Sequence, residues 1–375
     1  MDRQQPGWET AVLAGRINQY YLTGTMQDGL LLIRPDKAWY FVRRSVERAL
    51  DESPFDNIYP IQSYRDAALI AGSDCGHTYV ESEIMTVAML ERFGKHFQTR
   101  RLGALDKTIL SVRAVKTPYE LAALEEAGRL HHRVLVDHVP ELLREGMTEL
   151  EFSSELLHKM MDLGHYGVTR FQAFQSEMGL GQIGFGTSSL YPTSHDGPGG
   201  NRGVSAAVPI LGSPERRLRK GDTVFVDIGF VIRGYHSDKS QAYIFGAKPT
   251  AEMTRVHRAC LEVEKRTASL MKPGVRPSDI YRTVMGELSE EFKAGFMGYL
   301  TRQVRFLGHG IGLHVDELPV IAEGFNDPLE ANMVLAVEPK KGLRDVGLLG
   351  VEDTYIVTGD GGRCITGGGC DILEI

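Results

Sequence analysis

Residues 223–245, TVFVDIGFVIRGYHSDKSQAYIF, constrain this chain more than any other stretch: they read as two strands of a buried hairpin, yet each strand carries an aspartate in an apolar run. A turn at Ile232–Arg233 pairs Asp227 with Asp238, and directly opposed residues share a face with side chains about 5 Å apart. Two carboxylates held that close on a buried sheet repel each other and are costly to desolvate unless a cation lies between them. The alternatives are that one is protonated, or that the register slips and they point apart, since Ile-Arg is not a favoured turn pair. A second acidic pair follows. Glu338 in MVLAVEPKK and Glu352 in LLGVEDTYIV are again acids in β-rich apolar runs, and a hairpin centred near Asp345 sets them face to face. His309, in FLGHGIGLHVDELP, lies between Gly308 and Gly310, with Gly312 just beyond, so the backbone can approach closely and the imidazole can point into a crowded centre. Four carboxylates and one imidazole form a hard, oxygen-rich set. It suits two divalent ions, Mn²⁺, Co²⁺ or Fe²⁺, with Zn²⁺ also accommodated, rather than a thiolate-bound structural zinc.

Composition narrows the reading further. Cys75, Cys260, Cys364 and Cys370 are far apart and form no CxxC pair, so neither a disulfide framework nor a cysteine zinc site is expected. The 42 Lys and Arg against 49 Asp and Glu leave a net charge of -7, which gives no reason to expect nucleic acid or an anionic membrane as partner. The start, MDRQQPGWETAV, has no basic region followed by an apolar run, and no uncharged stretch nears the roughly 18 residues of a membrane span. A cytoplasmic protein is expected.

Residues 1–113 alternate strand-like and helix-like segments. GLLLI and AWYFV, joined by RPDK, read as a hairpin, and apolar spacing predicts a helix over 81–97. A long amphipathic helix is expected over 118–143. From there the chain appears twice over in pattern: a helix, a stop glycine (Gly146) and a second helix opened by Thr148 and Glu151 return about 128 residues later as a helix over 251–271, Gly274 and a helix opened by Pro277 or Ser278. Two αα+β halves facing each other would place a site in the groove between them.

The order Asp227, Asp238 eleven residues on, GHGIG, EP and then ED resembles the pita-bread metallopeptidases: methionine aminopeptidase, aminopeptidase P, prolidase and their non-peptidase relative creatinase. The resemblance implies an α+β fold, with a creatinase-like N-terminal α/β domain over 1–113, including INQYYLTG, and a pita-bread catalytic domain over 114–375, its duplicated halves set around a curved antiparallel sheet. It implies Asp227, Asp238, His309, Glu338 and Glu352 as metal ligands, with Asp238 and Glu352 bridging. It also implies an aminopeptidase or dipeptidase of Xaa-Pro type that uses a metal-bridged hydroxide, with Glu338 as proton shuttle, a small peptide or amide as substrate, and a homodimer.

The departures fall on the substrate side. The proline peptidases usually read GHGIGLEVHEEP; here Asp316 stands at the second histidine, with His314 two residues earlier. In a strand 314 and 316 share a face, so His314 is expected to reach the pocket and to act there with Glu338. AVPILGSPERR replaces the segment in which those enzymes carry a histidine, and His195 in YPTSHDGPGG is the nearest substitute. His195, His314 and Asp316 are therefore the expected substrate-binding residues. Gly350 stands where an arginine is common, and Ser240-Gln241 where Thr-Arg is common. His236 is expected to be structural. HVDE in place of EVHE motivates a second reading, a metal-dependent hydrolase or lyase of a small zwitterionic metabolite. A third, a non-catalytic peptide-binding relative, has the survival of all five ligands against it.

Overall fold

GLLLI and AWYFV form the antiparallel hairpin that their spacing predicts, with Ile33 opposite Ala38. In the computed structural model, which describes residues 1–172, 176 and 178–375, that hairpin belongs to the first of two units, Met1–Val112 and Arg113–Ile375. The first unit is a six-stranded mixed sheet in the order Ile58–Pro60, Ala38–Val42, Gly29–Ile33, Thr10–Leu13, Asp74–Val80, Gln98–Ala104. Apolar clusters cover both of its faces, one around Trp39, Phe41 and Phe93 and the other around Leu31, Tyr40 and Ile109. The helix expected over 81–97 is shorter, Val87–Gly94, with Thr86 as its N-cap. Glu81 is taken out of it because its buried carboxylate accepts hydrogen bonds from the Ala14 and Gly15 amides and from Asn18.

The second unit opens on Thr117, whose hydroxyl and Glu120 form a capping box ahead of Pro118. The helix Pro118–Arg133 widens into a π turn, Val134–His138, and continues as Val139–Leu142. The wider turn precedes Pro140, which lacks an N–H and whose ring would strike the carbonyl four residues back in a regular helix.

The repeat seen in the sequence holds in three dimensions. The paired helices end at Leu142 and Leu270, Gly146 and Gly274 follow with φ 84° and 89°, and the next helices begin at Glu149 and Pro277. Each glycine then donates its amide to a distant carbonyl at an equivalent place, Gly146 to Leu218 and Gly274 to Leu329. Five residues after those carbonyls the strands Thr223–Ile232 and Val334–Val337 start, so Asp227 and Glu338 are counterparts in the two halves. The helices of each half pack on one face of its strands. Phe152, Phe185 and Phe230 are fully buried in the first half, and Cys260, Leu307 and Leu335 in the second; burying each large apolar side chain contributes about 1.5–3 kcal/mol. None of the described helices is long and apolar enough to cross a membrane.

The central hairpin does not turn where the sequence pattern placed it. Ile232 pairs with Tyr235, leaving Arg233 and Gly234 as the turn, with φ 52° and 85°. Two consecutive positive φ values match the type I′ geometry that fits strand twist, and Gly234 supplies the second at no steric cost. In this register Asp238 pairs with Gly229, and Asp227 with Ser240. The two aspartates therefore still share a face, diagonally rather than in direct opposition. We expect Gly234→Ala to cost about 1–2 kcal/mol, because an L-residue resists that φ. Gly286→Ala, on an open helix face with nothing within 4 Å, should instead gain roughly 0.5–1 kcal/mol. Urea midpoints of the two variants check both signs.

Candidate metal centre

Two ribbons deliver the acids, and a third strand delivers His309. Asp227 and Asp238 come from the hairpin just described. Glu338 follows the strand Val334–Val337 and Glu352 precedes Asp353–Thr358, in the register that joins Val337 to Asp353 and Lys340 to Gly350. That register sets Glu338 opposite Glu352 about Asp345, which lies at φ 60° in the turn. His309 enters from the strand Phe306–Gly310, paired with Ala336. The ribbons are tied to each other beside the acids: the Ser240 amide donates to the Glu352 carbonyl (3.1 Å), and Thr354 Oγ1 accepts from the Asp238 amide and donates to its carbonyl (2.9 and 2.8 Å).

Two overlapping groups of donor atoms result, Asp238 with His309 and Glu352, and Asp227 with Glu338 and Glu352, the atoms of each lying within 4.8 Å of one another. His309 Nε2 is 3.5 Å from Glu338 Oε1 and 3.8 Å from Glu352 Oε1. Glu352 Oε1 is buried and has no hydrogen-bond partner among the described residues. Burial, and then the neighbouring Asp227, push Asp238 well above the usual carboxylate range; burial and then Asp238 do the same to Glu352. Buried carboxyls packed this closely around an orphaned oxygen are what a divalent cation would satisfy, so the donor set fits a metal.

One cation is already there, and the sequence reading missed it. Lys340, fully buried, places Nζ 2.8 Å from Asp227 Oδ2, 2.9 Å from Glu338 Oε2 and 2.6 Å from Glu352 Oε2. Burial works against its charge, but Asp227, Glu338 and Glu352 outweigh it and hold the ammonium protonated well above the ordinary lysine value. The signal was present: Lys340 stands two residues after Glu338, the spacing that puts two side chains on one face of an extended segment.

The remaining candidates separate. His195 lies within electrostatic reach of the centre: it stacks edge-on to Phe171 at 5.2 Å, burial lowers its pKa, and the carboxylates that pull it back up are Glu338 and Asp227. His314 goes elsewhere. Residues 312–316 form a bend rather than a strand, so the expected face-sharing of 314 and 316 does not arise. His314 Nδ1 sits 2.9 Å from Arg113 Nη2, its amide donates to Glu317 Oε1, and burial together with Arg113 brings its pKa down to about 3. Asp316 Oδ1 accepts from the Gln172 amide at 2.5 Å. His236 is structural as expected: fully buried, it bonds the Gly312 carbonyl through Nδ1 and accepts the Arg170 amide at Nε2.

Residues 122–359 match metallopeptidase family M24, and residues 3–115 match the creatinase/prolidase N-terminal domain. The chain is 24% identical over 365 residues to an Xaa-Pro dipeptidase of Pyrococcus furiosus, covering 94% of this chain and 92% of that one. Among solved structures, prolidase from Pyrococcus furiosus superposes with a TM-score of 0.77 at 22% identity, covering 97% of each chain. An Xaa-Pro dipeptidase from Bacillus anthracis superposes with a TM-score of 0.79 at 21% identity, covering 98% of this chain and 96% of that one. At such identities the structural likeness shows the fold.

Glu317 is fully buried between Arg113 and Lys116, with Lys116 Nζ at 3.2 Å from Oε2. Burial alone would raise its pKa, but Arg113 and then Lys116 hold it far below the usual range. Glu317→Gln removes the charge that both cations share and should cost about 3–5 kcal/mol at neutral pH. The carboxylate's contribution is complete above the ordinary glutamate pKa of about 4.3 and is lost as pH falls through its depressed folded value. The gap between wild type and variant should therefore narrow only in acid, which denaturant titrations at a series of pH values would show.

Proposed function

The chain belongs to metallopeptidase family M24, and from that premise we propose that it hydrolyses the N-terminal bond of dipeptides and short peptides at a divalent-metal centre formed by Asp227, Asp238, His309, Glu338 and Glu352. The observation that carries this reading is the convergence of those five side chains, remote in sequence, into overlapping donor groups within 4.8 Å. The relatives named Xaa-Pro dipeptidase and prolidase support the substrate class. The oxygen-rich set favours Mn²⁺ or Co²⁺.

A divalent ion bound there supplies Lewis acidity and brings the pKa of water towards neutrality. The chain's own groups do the rest. Glu338, with Oε1 on the His309 side and Oε2 on the Lys340 side, takes the proton of the attacking water and passes it to the leaving nitrogen. His195, coupled electrostatically to Glu338 and Asp227, donates a hydrogen bond to the developing oxyanion. The concentration of carboxylates attracts the substrate's free amine. His314, held by Arg113 and Glu317, braces the bend 312–316 instead of meeting substrate. Asp316 is engaged by the Gln172 amide, so no imidazole stands where the proline peptidases carry their second histidine.

Added Mn²⁺ or Co²⁺ should give sustained hydrolysis across a panel of Xaa-Pro and other dipeptides. His309→Ala should bring turnover to background, and His195→Ala should lower kcat by about 10²-fold, the usual effect of removing one oxyanion donor. Failure to cleave any peptide with either metal, alongside turnover of a small zwitterionic metabolite, would move the assignment to a lyase or hydrolase of that class.

A further inference from the structure

The two donor groups at the centre are not equivalent. Asp227, Glu338 and Glu352 make up one of them, and Lys340 Nζ bonds an oxygen of every member. The oxygens it takes from the glutamates are both Oε2. Their Oε1 atoms face His309, which together with Asp238 and Glu352 makes up the other group. The ammonium is enclosed: the side chain is fully buried, and the Phe225 ring faces Nζ at 5.7 Å.

Charge points the same way. Four carboxylates against one ammonium leave three negative charges, and one divalent ion reduces them to one. A second ion beside Asp227 would turn the balance positive, and it would stand next to the ammonium in a region of low dielectric, where like charges repel most strongly. Glu352 is restricted as well, because with Oε2 committed to Nζ it has only Oε1 to offer a metal.

We infer that this centre takes one divalent ion per chain, among Asp238, His309 and Glu352 Oε1 with Glu338 Oε1 beside it, and that the Lys340 ammonium fills the place of a second ion beside Asp227. The two-ion centre implied by the family resemblance thus becomes one ion and one tethered organic cation. This inference deepens the metallopeptidase reading and rests on it.

The test is stoichiometry. Wild-type protein dialysed to equilibrium against excess Mn²⁺ should hold one ion per chain by elemental analysis and give the uncoupled six-line spectrum of isolated Mn²⁺ by electron paramagnetic resonance. Lys340→Ala, or Lys340→Met if the alanine variant does not fold, should rise from one to two ions per chain with an exchange-coupled spectrum, and its melting midpoint should keep climbing past the first equivalent of Mn²⁺. Two ions in the wild type with peptide turnover intact would overturn the inference while leaving the peptidase reading in place, as would a folded variant that still holds one. No bound ion and no turnover in the wild type would end both.

Discussion

Compensation of buried negative charge is the constraint on which the second unit depends. Asp227, Asp238, Glu338 and Glu352 occupy sheet positions where uncharged side chains would pack at no electrostatic cost, and a carboxylate without a counter-charge there is expensive enough to protonate or to break the sheet. Lys340 meets part of that demand from within the chain. The rest is left as raised carboxyl pKa values and an oxygen without a partner on the His309 side. The fold holds this arrangement because the strands are locked by backbone ladders, which fix where each side chain points whatever its charge.

The locking is visible on the reverse face. Alternation along a strand sends Asp238 and Glu352 to the centre and their neighbours Lys239 and Asp353 away from it. Lys239 Nζ meets Asp353 Oδ1 at 2.7 Å with both side chains fully excluded from solvent. Thr366 Oγ1 donates to the same oxygen, and Lys239 also reaches the Gly368 carbonyl. A slip of one residue in one ribbon would bring Lys239 to the centre in place of Asp238, and a slip in the other would bring Asp353 there in place of Glu352. The ion pair behind the sheet therefore specifies the register of the acids in front of it. Gly308 and Gly310 have a comparable role in the adjoining strand, since a Cβ on either would lie 2.2 Å from a carbonyl of the facing strand.

The duplicated plan explains why the acids come in pairs. Gly146 and Gly274 stop equivalent helices and anchor them to equivalent carbonyls, after which each half lays down a ribbon whose first acid falls at the same place, Asp227 or Glu338. The halves then diverge. The first hairpin closes in a tight two-residue turn, and the second opens through Lys340–Leu343 and Gly347–Gly350 around Asp345. Lys340 belongs to that longer ribbon and has no counterpart in the first.

The sequence by itself determined the helix pairs and their glycine stops, the strands, and the five side chains able to bind metal, because a charged residue in an apolar run and a glycine after an amphipathic helix are local signals that survive without neighbours. It also bounded the hairpin containing Asp227, although the turn fell one residue later than the pattern suggested, since Gly234 tolerates a backbone that Ile232 does not. What only the tertiary structure decided was which charges meet. His314 shares a bend with Asp316 yet answers to Arg113 and Glu317, two contacts set by where Arg113 and the strand Glu317–Ala322 fall within the second unit. Lys340, two residues after Glu338, becomes a central cation because two ribbons, far apart along the chain, close around it. Electrostatic partners are chosen by distances of a few ångströms, and those distances exist only once the long-range strand pairing has formed.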